Sequence, residues 1–166
     1  MILIALGSNL PHPEFGAPEE ILVAARGVLA SEGLPIERHS RLYRSPPWPP
    51  SSQPWYVNAV AEVSPESGFD AAGILARLHA VEQAFGRQRG AANAARILDL
   101  DLLDYQGRVS GPEAVPVLPH PRLTQRAFVL LPLRDVAPDW RHPVTGQSVT
   151  ELISALPRDQ TAYPIA

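Results

Sequence analysis

Apolar residues recur along this chain in two rhythms, and each change of rhythm marks an element. Ile2-Leu3-Ile4-Ala5-Leu6 is a short apolar run ended by Gly7-Ser8-Asn9, which predicts a strand and a turn. From Pro18 the period lengthens. Ile21, Leu22, Ala25, Val28 and Leu29 form the stripe of a helix opened by Pro18, Glu19 and Glu20 and closed by Gly33 and Pro35. Residues 36–45 read as one polar, exposed strand, and Pro46-Pro47-Trp48-Pro49-Pro50 admits neither helix nor sheet. Alternation returns over 56–63, with Val57, Ala59, Ala61 and Val63 on one face and Tyr56, Asn58, Val60 and Glu62 on the other. A second helix is predicted over 70–85, with Ile74, Leu75, Leu78, Val81 and Phe85 turned inward and Gly86 as its cap. A strand follows over 97–104, closed by Gln106-Gly107; a short helix over 123–135 comes after Pro119-His120-Pro121, and 149–156 makes a last helical turn or two.

Strand, helix, strand, strand, helix, strand is the order of an α+β, ferredoxin-like βαββαβ sandwich: an antiparallel sheet with its helices on one face, here with C-terminal additions. In that topology the first and third strands are central and the strand over 97–104 lies beside the first. A single domain over 1–166 is expected.

The chemistry concentrates on Leu98-Asp99-Leu100-Asp101-Leu102-Leu103-Asp104. Alternation places Asp99 and Asp101 on one face and Leu98, Leu100 and Leu102 on the other. Two neighbouring carboxylates on a strand buried by leucines repel each other unless a cation lies between them, and magnesium, a hard ion that takes oxygen ligands, suits them. An edge strand whose polar face meets solvent accounts for the same pattern. Glu82 falls on the margin of a buried helical stripe, where a lone carboxylate is costly; Arg87, Arg89 and Arg96 follow. They read either as a helix-end salt bridge with solvated arginines or as the rim of a phosphate site, for which forked guanidinium donors are well shaped. Tyr56 and Asn58, beside the rigid loop bearing Trp48, could wall a planar polar ligand, and His120 between two prolines could reach a phosphate.

Composition narrows these readings. A net charge of −3, from 17 acidic and 14 basic residues, offers no polycation to a nucleic acid or an anionic membrane. With no cysteine, disulfides, zinc–thiolate sites and thiol nucleophiles are excluded. The apolar run at 2–6 is too short for a signal or membrane segment, so a cytoplasmic protein is expected. No glycine-rich run ends in Lys-Ser/Thr, which excludes a P-loop.

Several segments together resemble the 6-hydroxymethyl-7,8-dihydropterin pyrophosphokinase family. They are Ala5-Leu6-Gly7-Ser8-Asn9-Leu10, Tyr43-Arg44-Ser45-Pro46-Pro47, Gln53-Pro54-Trp55-Tyr56-Val57-Asn58-Ala59, Glu82 to Arg89, Arg96-Ile97-Leu98-Asp99-Leu100-Asp101-Leu102, Pro119-His120-Pro121 and Arg126-Ala127-Phe128-Val129-Leu130. The resemblance implies a transferase that passes diphosphate from ATP to the pterin hydroxymethyl group, releasing AMP. It implies two magnesium ions held with ATP by Asp99 and Asp101, and catalysis by these with Arg96 and Arg89. By the same resemblance Glu82, Arg89, Arg96, His120 and Arg126 serve ATP, while Ser45, Pro46, Trp48, Tyr56, Asn58 and Phe128 belong to the pterin pocket. The implied partners are ATP and the pterin, with no nucleic acid or membrane, and a monomer is expected. Where the family usually carries Arg-Trp-Gly-Pro-Arg, this chain has Ala92-Asn93-Ala94-Ala95-Arg96, without the closing tryptophan and one arginine. The segment 87–95 is expected to be mobile without ligands, with Trp48 or Trp55 as candidates for the missing cover. Val115 stands where an arginine is common. The alternative is a non-catalytic ferredoxin-like domain that senses nucleotides or binds nucleic acid.

Overall fold

The computed structural model describes residues 1–87 and 92–165. Strand β1 (Ile2–Ser8) leads into helix α1 (Pro18–Ser31), whose start is secured by Glu20 Oε2 accepting from the Ala17 N–H at 2.8 Å. Strands β2 (Ile36–His39), β3 (Tyr43–Ser45) and β4 (Tyr56–Val63) follow. Helix α2 (Ala71–Ala84) is capped by Asp70, whose carboxylate accepts from the Gly73 N–H at 2.8 Å. Strand β5 (Asp99–Tyr105), helices α3 (Ala127–Val136) and α4 (Val149–Ser154) and a two-residue strand β6 (Tyr163–Pro164) complete the order.

The sheet runs β5-β1-β4-β3-β6, with β2 also pairing with β4, and every pairing is antiparallel. The central strands are thus β1 and β4, with the aspartate strand beside β1, in the ferredoxin-like arrangement that the element order predicts. Ile4, Leu6, Val57, Ala59, Ala61, Leu100 and Leu102 share one buried cluster with Ile21, Leu22, Ile74 and Leu78, so α1 and α2 lie on one face. Leu3, Val60 and Leu103 bury against Val129, Leu130, Leu133, Val149 and Leu152, which places the C-terminal additions α3 and α4 on the opposite face. Among the described residues, no helix is long and apolar enough to cross a membrane.

Two local departures matter for the site. The stretch expected as a single exposed strand over 36–45 is broken at Ser40, whose N–H donates to the Val60 carbonyl at 2.9 Å and whose hydroxyl, in place of its carbonyl, accepts from the Val60 N–H at 3.0 Å. Its second half is buried, since Tyr43 and Ser45 are covered. In β5 the register shifts between Leu3 and Ile4 of the partner strand, so Leu103 is an extra residue in the ladder. A bulge of this kind turns two consecutive side chains to one side. Leu103 and Asp104 accordingly both face α3 and Trp140, whose indole N–H donates to Asp104 Oδ2 at 2.7 Å. Upstream of the bulge the alternation holds, with Leu100 and Leu102 in the main core and Asp99 and Asp101 on the other face. The turn closing β5 has positive φ at both Gln106 (54°) and Gly107 (69°), the conformation that favours glycine there.

Candidate active site

Antiparallel register carries four strands across the site in one row. Asp99 of β5 lies opposite Gly7 of β1, Gly7 opposite Asn58 of β4, and Asn58 opposite Tyr43 of β3. Residues directly opposite share a face, so Asp99 and Asn58 rise from the sheet on either side of a position with no side chain. A Cβ at Gly7 would come within 3.4 Å of Asn58 Oδ1, so the glycine keeps this part of the floor free. Asp101 rises in the next row, opposite Ala5.

A cavity of about 410 Å³ opens above these rows, in the range of small-molecule sites. Gly7, Tyr56, Asn58, Asp99 and Asp101 form its floor, Ser45 to Ser51 one wall, and His120, Arg122, Arg126 and Phe128 another. Two carboxylates on the same strand face lie ~7 Å apart, a repulsion of about 2 kcal/mol in a partly buried setting. Buried Leu100 and Leu102 offset it, at about 1.5–3 kcal/mol each. Neighbouring cations reduce it further. Arg96 Nη1 donates to Asp99 Oδ1 at 2.7 Å, and Arg87 Nη1 stands 3.4 Å from the same oxygen. Arg126 Nη1 lies 3.7 Å and His120 Nε2 3.8 Å from Asp101 Oδ2. Burial pushes the Asp101 carboxyl upward, the Asp99 charge adds to the rise, and His120, Arg126 and Arg96 oppose it. His120 Nδ1 accepts from the Arg122 N–H at 3.2 Å, which places the ring proton on Nε2, toward Asp101. Burial lowers the pKa of His120, with Asp101 opposing and Arg126 reinforcing that shift.

The opposite side is built for a neutral polar edge. Asn58 Nδ2 donates to Ser45 Oγ at 2.8 Å, both residues being buried, and this fixes the amide with Oδ1 toward Gly7. Arg126 Cζ lies over the Phe128 ring, 5.4 Å from its centroid. A knot of amides joins the loops above. Asn9 Nδ2 donates to Gln53 Oε1 and the Pro54 carbonyl, both at 3.1 Å, and Asn9 Oδ1 accepts from the Arg96 N–H at 2.8 Å. Gln53 Nε2 donates to the Asn93 carbonyl at 2.6 Å, and the Tyr56 hydroxyl lies 3.4 Å from both Gln53 Oε1 and the Ala94 carbonyl.

Residues 3–138 match the sequence profile of the family described as 7,8-dihydro-6-hydroxymethylpterin-pyrophosphokinase (HPPK). The chain belongs to this family. It is 38% identical over 159 residues to a Pseudomonas aeruginosa 2-amino-4-hydroxy-6-hydroxymethyldihydropteridine pyrophosphokinase, a match covering 94% of this chain and 91% of that protein. It is 33% identical over 148 residues to the folic acid synthesis protein fol1 of Pneumocystis carinii, covering 89% of this chain but 19% of that longer protein. A crystal structure of a Plasmodium falciparum HPPK-DHPS triple mutant superposes with a TM-score of 0.70 at 14% identity, over 92% of this chain and 43% of that one, a likeness of fold.

Set on this HPPK-family fold, most of the expected site residues converge. Asp99, Asp101, Arg96, His120, Arg126, Ser45, Pro46, Trp48, Tyr56, Asn58 and Phe128 all line the one cavity. Arg89 lies outside the described residues, as does the middle of the segment expected to be mobile. Glu82 is not on the cavity lining. At 1% exposure it sits behind the wall, Oε1 accepting from the Leu100 N–H at 2.7 Å and Oε2 paired with Arg87. Trp55 is no cover either: it stacks on Tyr163 outside the cavity, at 6.4 Å and 18°. Trp48, 42% exposed, stays on the rim. Leu75, expected in the core, faces the cavity with His79 instead. Arg87 and Gln53 are the residues that sequence reasoning undervalued. Arg87 serves both expected purposes at once, closing a helix-end salt bridge to Glu82 and lining the cavity.

Proposed function

We propose that this chain transfers diphosphate from ATP to the hydroxymethyl group of 6-hydroxymethyl-7,8-dihydropterin, giving the pterin diphosphate and AMP. The observation that carries this reading is a carboxylate pair ringed by cations on one side of Gly7 and a fixed amide on the other. One cavity thus offers a polyanion site and a heterocycle edge site, separated by a side-chain-free floor. Pyrophosphokinase relatives of similar length support the same chemistry.

The donor set fits magnesium. Among the described residues there is no group of three or more metal-ligating side chains, and a cage made wholly of protein is absent there. Two oxygen-only carboxylates are what magnesium uses when substrate phosphates and waters complete its shell. Asp99 and Asp101 would hold it, and when bound it would neutralise phosphate oxygens and withdraw charge from the bond being broken. The remaining work falls to the protein. Arg96, Arg126 and His120 Nε2–H, which face the carboxylates, turn to phosphate oxygens when ATP enters, exchanging one anionic partner for another. Asn58 Oδ1 receives an N–H of the pterin edge, and Phe128 and Tyr56 supply flat surface against its plane. Held so, the hydroxymethyl oxygen attacks the β-phosphorus in line. The new O–P bond forms as the bond to the α-phosphate oxygen breaks; AMP takes the electron pair and the hydroxyl proton passes to solvent.

The test is AMP release from ATP, measured with and without 6-hydroxymethyl-7,8-dihydropterin in magnesium. AMP is expected only with the pterin present, in a one-to-one ratio with pterin diphosphate. Nucleotide binding without AMP in either case would instead identify a non-catalytic nucleotide-sensing domain.

A further inference from the structure

Helix α3 begins with a conflict between folding and function. Its N-cap residue is Arg126, with cap-like backbone angles (φ −120°, ψ 109°) but no side-chain hydrogen bond to the first turn. Ser, Thr, Asp or Asn is preferred at such a position because a short side-chain oxygen accepts from the free N–H groups. Arg126 has no acceptor, and its guanidinium is engaged toward Asp101 and over Phe128. The missing acceptor comes from far along the chain. Gln160 Oε1 accepts from the Ala127 N–H, the first of the helix, at 3.1 Å.

Gln160 belongs to an arm that follows α4 and lies beyond the family-matched residues 3–138. The arm is firmly seated. Gln160 N–H donates to the Pro157 carbonyl at 3.0 Å, Ala162 buries against Tyr43 and Ala127, and β6 pairs with β3 (Tyr43 with Pro164, Arg44 with Tyr163). The Ile165 N–H closes the arm onto the Leu42 carbonyl at 2.8 Å. A single strap therefore ties the start of α3, which presents Arg126 and Phe128, to β3, which presents Ser45.

We infer that Gln160 is a positioning residue: its side-chain carbonyl caps α3 so that Arg126 remains free to face the phosphate side and Phe128 keeps its place on the pterin wall. An uncapped first turn frays, and here the fraying residues would be those on the cavity. What Arg126 and Phe128 touch rests on the function proposed above; the cap itself does not.

The experiment compares Gln160→Leu, which removes the acceptor, with Gln160→Glu, which keeps one and also suits a helix N-terminus. Amide hydrogen exchange at Ala127 should quicken roughly tenfold in the leucine variant and stay near the wild-type rate in the glutamate variant. In the full reaction, kcat/KM for the pterin should fall about fivefold in Gln160→Leu and recover in Gln160→Glu. Unchanged exchange at Ala127 in Gln160→Leu would overturn the cap. A lower melting temperature with unaltered kcat and KM would overturn the positioning role and leave a structural one. If the wild-type chain released no AMP with both substrates, the proposed function would fail while the exchange comparison still decided the cap.

Discussion

Removing the Arg87 guanidinium should make this protein's stability more dependent on pH than it already is. Glu82 is 1% exposed, and burial first, then the Asp99 charge, push its pKa up from 4.5 to about 7, against the opposing effect of the Leu100 N–H and Arg87. A carboxyl whose folded-state pKa exceeds its unfolded value stabilises fully below about 4.5, and that contribution is lost as pH rises through about 7. The interval of 2.5 pKa units, from 7 less 4.5, corresponds to about 3 kcal/mol at 1.36 kcal/mol per unit. In Arg87→Ala the opposing charge is gone and Glu82 titrates higher still. At pH 5.5 the carboxyl is protonated in both proteins, and the variant should lose less than about 1 kcal/mol, mainly from packing. At pH 9 wild type keeps a paired buried carboxylate and the variant an unpaired one, which should cost roughly a further 2–3 kcal/mol. Urea unfolding at pH 5.5, 7.5 and 9, without ligands, measures both. Glu82→Gln in the Arg87→Ala background should remove most of the added pH dependence. If the difference between wild type and Arg87→Ala were constant from pH 5.5 to 9, Glu82 would not be the group that titrates.

Asp101→Asn should abolish AMP release, while circular dichroism and melting temperature stay close to wild type, because the side chain, 34% exposed, lies on the cavity floor and the amide keeps its shape. Asn58→Ala should weaken pterin binding by about 1–3 kcal/mol with little effect on nucleotide affinity, as read by calorimetry with each ligand; equal losses would make it a support of the shared floor. Arg96→Ala should lower the single-turnover rate at least tenfold at saturating ATP, since its guanidinium reaches Asp99 at 2.7 Å; an unchanged rate would remove it from the chemistry.

Much of the fold was legible because its long elements are strictly periodic. Over 56–63 alternation alone assigned every side chain to its face, and Pro18 and Gly33 bracketed α1. What the sequence concealed was local hydrogen bonding. Nothing in its pattern marks Ser40 as the residue that splits one strand into β2 and β3, or Leu103 as the extra residue in β5. Strand β6 is two residues long and includes a proline, too short for any period to register. The candidate site divides likewise. Asp99, Asp101 and Asn58 follow from strand alternation once the pairing is known. Glu82 is marked by its place on the margin of a helical stripe, but its partners, a backbone N–H on β5 and Arg87, are made by tertiary packing. Gln53 lies in a proline-rich stretch without periodicity, so its link to Asn93 could not be anticipated.

The knot of amides above the cavity also bears on how this protein acquires its site during folding. Asn9 joins Gln53 across 44 residues of chain, Pro54 across 45 and Arg96 across 87. The longest of these, from Asn9 to Arg96, is reached only after a long loop has closed, and that entropy is repaid late. Helices α1 and α2 can form from local contacts, and β1 and β4, whose paired residues are 49 to 59 apart, can zip together before Asn9 reaches Arg96 across 87. The chain can therefore be largely folded by any spectroscopic measure of secondary structure and still lack a competent site. Recovery of ligand binding during refolding should then lag behind recovery of helix signal.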